Sequence, residues 1–406
     1  MQKKVLVISM VAPYDKRKFA GSKTHNYYIK GFEKSKKIDL RLLTFCEEYE
    51  YEDAVEDLRE YGINAEIIKL KLDRLSKIKR NLAAWSSRIN PFDKNGNFTR
   101  TYYKTNISCR LKKYKNDGYY PDVVILAWTQ VALFLEDVRS IYPNARYVVS
   151  EYDVSFQGYQ RKAEMRTGLS RILWNNKAKR LLNAETNIAK NCDLVVVQND
   201  KDRNLLVSCG VSGDKIFTMV PYYDDYSNIK RNPDYNQPRI IFYGAMKRPE
   251  NYECAIRVIE KIMPNIDSDI VFYAIGGSPN EKLVSLANDR VKVTGFVDHI
   301  DGFLESCICM VAPLTMGAGI KVKTLEMMSA GVPVITNEIG IEGIPATAGV
   351  DYVHCETDEE FAKTINDVHA KTIDVDAISE SAIRLIKEDF GLEPSLYSYI
   401  RCITNL

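Results

Sequence analysis

With 406 residues, 45% of them hydrophobic, the chain is globular and too long for one ordinary core, which predicts two domains. No apolar run approaches the roughly 18–20 residues that cross a bilayer, and the opening MQKKVLVISMVAP reads as a first strand, since its apolar run is short and no small-residue cleavage site follows. Nine scattered cysteines and four histidines form neither a disulfide framework nor a zinc spacing, which predicts a reducing cytoplasm and argues against a zinc enzyme. The net charge of +2 hides a split of +13 over residues 1–220 and −11 over the remainder, so the first half is expected to meet something anionic.

In chain order, Val5–Met10 is the opening strand, and Gly21 lies in the loop ahead of a helix expected from about Lys23, with His25 on it. Strands follow at Ile38–Thr44 and Ala65–Lys71, with a charged helix at 50–61 between them. Leu72, Leu75, Ile78, Leu82 and Trp85 recur at three- and four-residue steps, an apolar helical stripe flanked by Arg74, Lys77, Lys79, Arg80 and Arg88. A second basic stretch, 158–182, holds seven Lys and Arg against the single acid Glu164, with Ile172, Leu173 and Trp174 among them. Such basic amphipathic helices fit an anionic membrane surface; they equally fit helices packed on their own domain with solvated charges. PDVVILAWTQ (121–130) and ARYVVSEYDVSF (145–156) are buried strands whose carboxyl ends should open onto a ligand crevice. Asn199 caps the helix after the next strand.

Residues 224–238 lose apolar periodicity and carry two prolines, the expected linker. Domain limits are therefore placed at 1–223 and 239–385, with a final helix at 386–406. Arg239–Tyr243 opens a new sheet and ends at Gly244; Lys247 and Arg248 follow, and Asn251 reads as the cap of the next helix. Further on, PLTMGAGIKVKTLEMMSAGVPVITNEIGIEGIP (313–345) reads as strand end, glycine turn, helix from about Ile320, glycine stop at Gly331 and buried strand. Gly317 and Gly319 permit a tight turn and close backbone approach to a ligand. Free amides at the helix start make a phosphate site, to which Lys321 and Lys323 add charge. Glu326 lies further along the same helix.

The form GxGxKxKxLE followed by SAGVPVITNEIGIEGI resembles the nucleotide-sugar motif of retaining GT-B glycosyltransferases, the group 1 (family 4-like) class, in a subgroup associated with bacterial surface polysaccharides. The resemblance is close over 190–360, patterned over 1–45 and weak between 50 and 120. The pattern's second glutamate is Glu326, while its first falls on Ala318, a departure at the position that contacts the transferred sugar in that family. The resemblance implies two Rossmann-like doubly wound α/β domains facing a cleft, an acceptor domain first and a nucleotide-sugar domain second, with the terminal helix crossing back to the first. It implies that Gly21, Gly244, Gly317, Ala318, Gly319, Ile320, Lys321, Lys323 and Glu326 bind the donor. Glu326 would serve the ribose hydroxyls, and the backbone of Gly295, Phe296 and Val297 would receive the base. Lys247 or Arg248 would neutralise the diphosphate, placing them with Glu326 among the catalytic residues. Gly340 and Glu342 would close the diphosphate loop, Asp193 and Asp202 would be structural, and His25, Glu151 and Asp153 would lie on the acceptor or sugar side.

The function implied is transfer of a hexose from a nucleotide-diphosphate sugar to a glycan or lipid-linked glycan with retention, in cell-surface polysaccharide synthesis. No metal, other cofactor or nucleic acid is expected, and the location is the cytoplasm, including the inner face of the membrane. A nucleotide-sugar epimerase of the same fold and a non-catalytic partner subunit are the alternatives.

Overall fold

The computed structural model describes residues 2–16, 19–70, 101–317 and 319–406. The apolar stripe from Leu72 to Trp85 with its basic flanks, and Ala318, lie outside the described residues. The chain divides into two compact units, Met1–Tyr222 with Leu392–Leu406, and Tyr223–Gly391.

The first unit is built on seven parallel strands: β1 (Lys3–Ser9), β2 (Ile38–Glu47), β3 (Asn64–Leu70), β4 (Val123–Ala127), β5 (Arg146–Ser150), β6 (Leu194–Val197) and β7 (Ile216–Thr218). Their order is β3-β2-β1-β4-β5-β6-β7, so connections reverse direction between β1 and β4, the switch point where doubly wound sheets bind ligands. Helices cover both faces, which is why the strands read as unbroken apolar runs. Leu6, Ile8, Leu126 and Val149 pack on one side, and Val5, Val7, Ile125 and Val148 on the other, the two-residue period of a strand. The last helix, Leu392–Asn405, belongs to this unit. Tyr28 Oη meets Ser395 Oγ at 2.6 Å, and Tyr399 packs edge-on against Phe32. A Cβ at Gly31 would stand 2.5 Å from Leu396 Cδ2, so the close approach of the two helices depends on that glycine.

Two local readings change. The first helix begins at Ala20, so Gly21 lies in its first turn and not in the preceding loop. The basic stretch 158–182 is not one helix. It is a hairpin of Ser155–Glu164 and Gly168–Asn191, broken where Gly168 adopts φ +58°.

The second unit repeats the plan with β8 (Arg239–Tyr243), β9 (Val271–Ile275), β10 (Val291–Gly295), β11 (Cys309–Ala312), β12 (Val334–Thr336) and β13 (Val353–His354), ordered β10-β9-β8-β11-β12-β13 and all parallel. Its switch point lies between β8 and β11. Residues 224–238 group with this unit, held by main-chain bonds from Asn232 N–H to Glu305 O and from Asp234 N–H to Ser306 O.

Candidate functional site

At the β8/β11 switch point the glycine turn becomes a shaped cradle. β11 ends at Ala312, and Arg257 fixes the exit by donating to Pro313 O at 3.1 Å while pairing with Asp358 at 2.7 Å. Gly317 (φ +123°) and Gly319 (φ +71°) then take backbone conformations that side chains oppose. The helix Val322–Ser329 starts two residues later than the sequence predicts, with no capping bond from the side chain of its N-cap residue, Lys321, and no acid in its first turn. The positive end of its dipole is therefore left for an anion. Gly331, at φ +68°, ends the helix as expected.

Buried side-chain hydrogen bonds lock this loop to its neighbours. Thr336 Oγ1 donates to Ala312 O at 2.8 Å, Thr324 Oγ1 donates to Gly340 O at 2.9 Å, and Asn337 Nδ2 donates to Leu314 O at 2.6 Å. A Cβ on Gly340 would fall 1.8 Å from Thr336 Oγ1, so only glycine fits there. In the same segment Glu342 pairs with Lys321 at 3.1 Å, both side chains being mostly buried.

Lys323 is the cation at the centre of the cradle. A Cβ on Gly244, at the end of β8, would lie 3.0 Å from Lys323 Nζ, and the ammonium stands over the Phe242 ring and donates to Asn251 Oδ1. Among the described residues no carboxylate lies within ion-pair distance of it. Desolvation lowers its pKa from 10.5 to about 8. Asn251 is not a cap: Arg248 holds the N-cap position of Pro249–Arg257, and the Asn251 amide donates instead to Ala245 O at 3.0 Å. Lys247 and Arg248, the bases expected at the diphosphate, are exposed. Arg248 pairs with Glu250, while Lys247 lines a surface depression with Ser278, Asn280 and Lys282. Lys323 is the cation whose Nζ lies next to Gly244.

Glu326 is buried, and its Oε1 accepts the Asp224 N–H at 3.2 Å. Its helix is further held by the Ser329 hydroxyl, which accepts the Tyr226 N–H at 3.1 Å. Ile320 is half-buried beside Lys321. At the ends of β9 and β10, Gly276 N–H donates to Gly295 O at 3.0 Å. Gly295 has φ +70°, Phe296 is 60% exposed and faces Gly277, and Val297 follows half-buried. Together they form an edge of backbone and one open ring. Gly276, Asn337 and Thr324 were not singled out in the sequence; glycine directly after the β9 apolar run was the available signal for the first.

Protonation of Lys323 gives a pH expectation. Its folded pKa lies below that of free lysine, so the unfolded chain binds the extra proton between about pH 8 and 10.5, and this group's contribution to stability rises with pH across that window. Anion affinity should move the other way, falling as pH rises through about 8. Calorimetric titration of a nucleoside diphosphate on either side of that pH measures it, and equal affinities would contradict it.

The first unit gathers a different set at its own switch point. His25 is buried; its Nδ1 lies 2.8 Å from Tyr152 Oη and its ring meets Trp128 edge-on. Burial lowers its pKa from 6.5 to about 3, which leaves the imidazole neutral. Trp128, just past β4, is half-buried, stacks on Tyr152 at 4.4 Å and holds φ +72°, a conformation costly for a bulky residue. Sequence reading missed Trp128, because no pattern announces its backbone angle. Gly21 faces Tyr152 at ordinary contact distance. Glu151 is buried with neither carboxylate oxygen hydrogen-bonded among the described residues. Burial and the nearby Glu185 and Asp202 carboxylates raise its pKa well above the usual range. Asp153 is exposed. Asn199 caps its helix as expected, accepting the Asp202 N–H at 2.8 Å.

This is the GT-B architecture of glycosyltransferases, two doubly wound parallel sheets with the last helix returned to the first unit. Residues 237–371, which contain the whole cradle, match the family described as Glycosyl transferases group 1. The full chain has the fold of Anabaena Alr3699/HepE, solved in complex with UDP (TM-score 0.70, 12% identity, 99% of this chain and 100% of that one). It is also similar to sucrose-phosphate synthase from Thermosynechococcus elongatus (0.67, 13%, 99% and 98%) and to a glycosyltransferase from Rickettsia africae (0.62, 14%, 100% and 99%). A curated relative, an uncharacterized 44.6 kDa protein in the cps region of Klebsiella pneumoniae, is 23% identical over 169 residues. That match covers 39% of this chain and less than half, 44%, of the relative.

Proposed function

We propose that the protein transfers a hexose from a nucleoside diphosphate sugar to a glycan or lipid-linked glycan acceptor at the cytoplasmic side of a membrane, with retention of anomeric configuration. One observation carries the reading: Lys323, a desolvated cation with no carboxylate within ion-pair distance among the described residues, stands between Gly244 and a helix start whose N-cap side chain makes no capping bond, at a sheet switch point. A half-buried, desolvated ammonium is favoured by a nearby negative charge, and a diphosphate would supply one.

Lys323, the Lys321 ammonium and the first amides of Val322–Ser329 would hold the leaving diphosphate without a metal ion. The new bond joins the acceptor oxygen to the anomeric carbon as the carbon–phosphate oxygen bond breaks, and the departing phosphate takes the acceptor proton. Charge grows on that phosphate in the transition state, where fixed donors act most strongly. Glu326 would receive the ribose hydroxyls, and the Gly295–Val297 edge the base. Trp128 and His25, in the strained cluster of the first unit, would meet the acceptor, with Asp153 and the first-turn Gly21 nearby. Glu151, whose pKa burial and the nearby Glu185 and Asp202 carboxylates raise well above the usual range, would lie on the acceptor or sugar side. The UDP and UDP-glucose complexes of HepE support the donor class, and the cps-region relative supports the polysaccharide setting.

The test is incubation with UDP-, GDP- and dTDP-hexoses and a membrane lipid extract, with products followed by NMR. Transferred hexose, or free hexose without acceptor, with the configuration kept, is the expected result. An epimerised nucleotide sugar would make the protein an epimerase, and no turnover of any donor would make it a non-catalytic relative.

A further inference from the structure

The hairpin of Ser155–Glu164 and Gly168–Asn191 carries a surface that folding leaves uncovered. The second helix buries side chains only from Ala178 onward, and every residue from Thr167 to Leu173 is exposed. Among the described residues, four of the thirteen exposed large apolar side chains fall between 165 and 173: Met165 (71% exposed), Leu169 (80%), Ile172 (56%) and Leu173 (62%). Leu169, Ile172 and Leu173 stand at steps of three and four, so they share one helix face. An apolar cluster of this kind, open to water, marks an interaction surface.

The charges beside it say which kind. Lys162 Nζ, the Arg166 guanidinium and Lys177 Nζ stand 5.5, 4.6 and 5.3 Å from the Trp174 ring centroid. Tyr159 closes the cluster edge-on at 5.1 Å. Three cations gathered on one indole repel one another, and Glu164 is the only acid from 158 to 182. The arrangement joins aliphatic side chains that would leave water to a cation cluster that would take anionic oxygens, the pairing found in helices that lie in a bilayer interface. No described helix is long and apolar enough to cross a membrane, so the contact is a surface one.

We infer that this hairpin docks the protein on an anionic phospholipid bilayer, with Leu169, Ile172 and Leu173 entering the acyl boundary and Lys162, Arg166 and Lys177 meeting lipid phosphates. The inference extends the lipid-linked-acceptor reading, but its test contains no donor sugar, so the two fail separately.

The full chain is sedimented with phosphatidylcholine vesicles with and without phosphatidylglycerol. The wild type should pellet with the anionic vesicles only, and less so as salt rises. Lys162→Ala and Arg166→Ala should each lower partitioning about five-fold, and the triple change Leu169→Ser, Ile172→Ser, Leu173→Ser should abolish it. Unchanged melting of these variants in the absence of vesicles shows that they fold. Equal pelleting with neutral vesicles, no pelleting of the wild type, or variants that pellet like the wild type would overturn the inference. So would a wild-type dimer that the triple-serine change turns into a monomer, since a second copy would then cover the face.

Discussion

Lys323→Ala is expected to lower the transfer rate by about two to three orders of magnitude, the loss seen when one fixed donor to a developing anion is removed. The same change should leave the fold intact, or slightly more stable, because it removes an amine whose desolvation already lowers its pKa to about 8. That combination separates an anion-binding lysine from a structural one. Steady-state kinetics with the preferred donor, paired with a denaturant melt, measures both quantities. Lys247→Ala, whose side chain is exposed, serves as the comparison and should cost far less. If Lys247→Ala cripples transfer while Lys323→Ala does not, the diphosphate lies away from the cradle.

Gly276→Ala should be the most destabilising single-methyl change in the second unit. A Cβ there would sit 1.8 Å from Gly244 O, a backbone atom that cannot swing aside, and the residue holds φ +148°. Relief requires the ends of β8 and β9 to part, which breaks the bond from Gly244 N–H to Ile275 O. A loss of about 3 kcal/mol or more is expected from strain and overpacking together, with nucleotide binding lost as well because Gly244 would move. Gly302→Ala is the contrast. Nothing lies within 4 Å of its Cβ position, and it sits in the helix Asp301–Ser306, so about 0.4–1 kcal/mol of stabilisation is expected. Equal melting of Gly276→Ala and wild type would refute the described contact.

Much of this architecture is legible in the chain because parallel strands buried on both faces announce themselves as short apolar runs, as at Val123–Ala127 and Cys309–Ala312. The glycine turn and the helix stop at Gly331 are equally local, since each is a backbone requirement that few residues meet. The placing of Lys323 beside Gly244 is not a local feature of the sequence. Lys247 and Arg248 follow β8 directly, but Lys323 reaches Gly244 from the helix after the neighbouring strand β11, and only the packing shows that Arg248 is engaged by Glu250. Asn251 misled for the same reason, having the position of a helix-start residue and a partner 72 residues away. The segment 224–238 resembled a free linker because its attachments to Glu305 and Ser306 are main-chain bonds, which leave no mark on side-chain composition. The break between the hairpin helices was hidden by a basic pattern that continues across it.

The central claim, a nucleoside diphosphate held in the Gly244–Lys323 cradle, is tested most directly by melting the protein with UDP, GDP, dTDP and CDP in turn, alongside Lys323→Ala and Glu326→Ala. A ligand that binds only the folded chain raises its melting temperature by mass action, by about 2.7 kcal/mol of added stability at a hundredfold excess over Kd. One nucleotide should stabilise the wild type, with the shift nearly lost in Lys323→Ala and reduced in Glu326→Ala. A wild type that responds to none of the four, or a shift that both variants retain in full, would contradict the account.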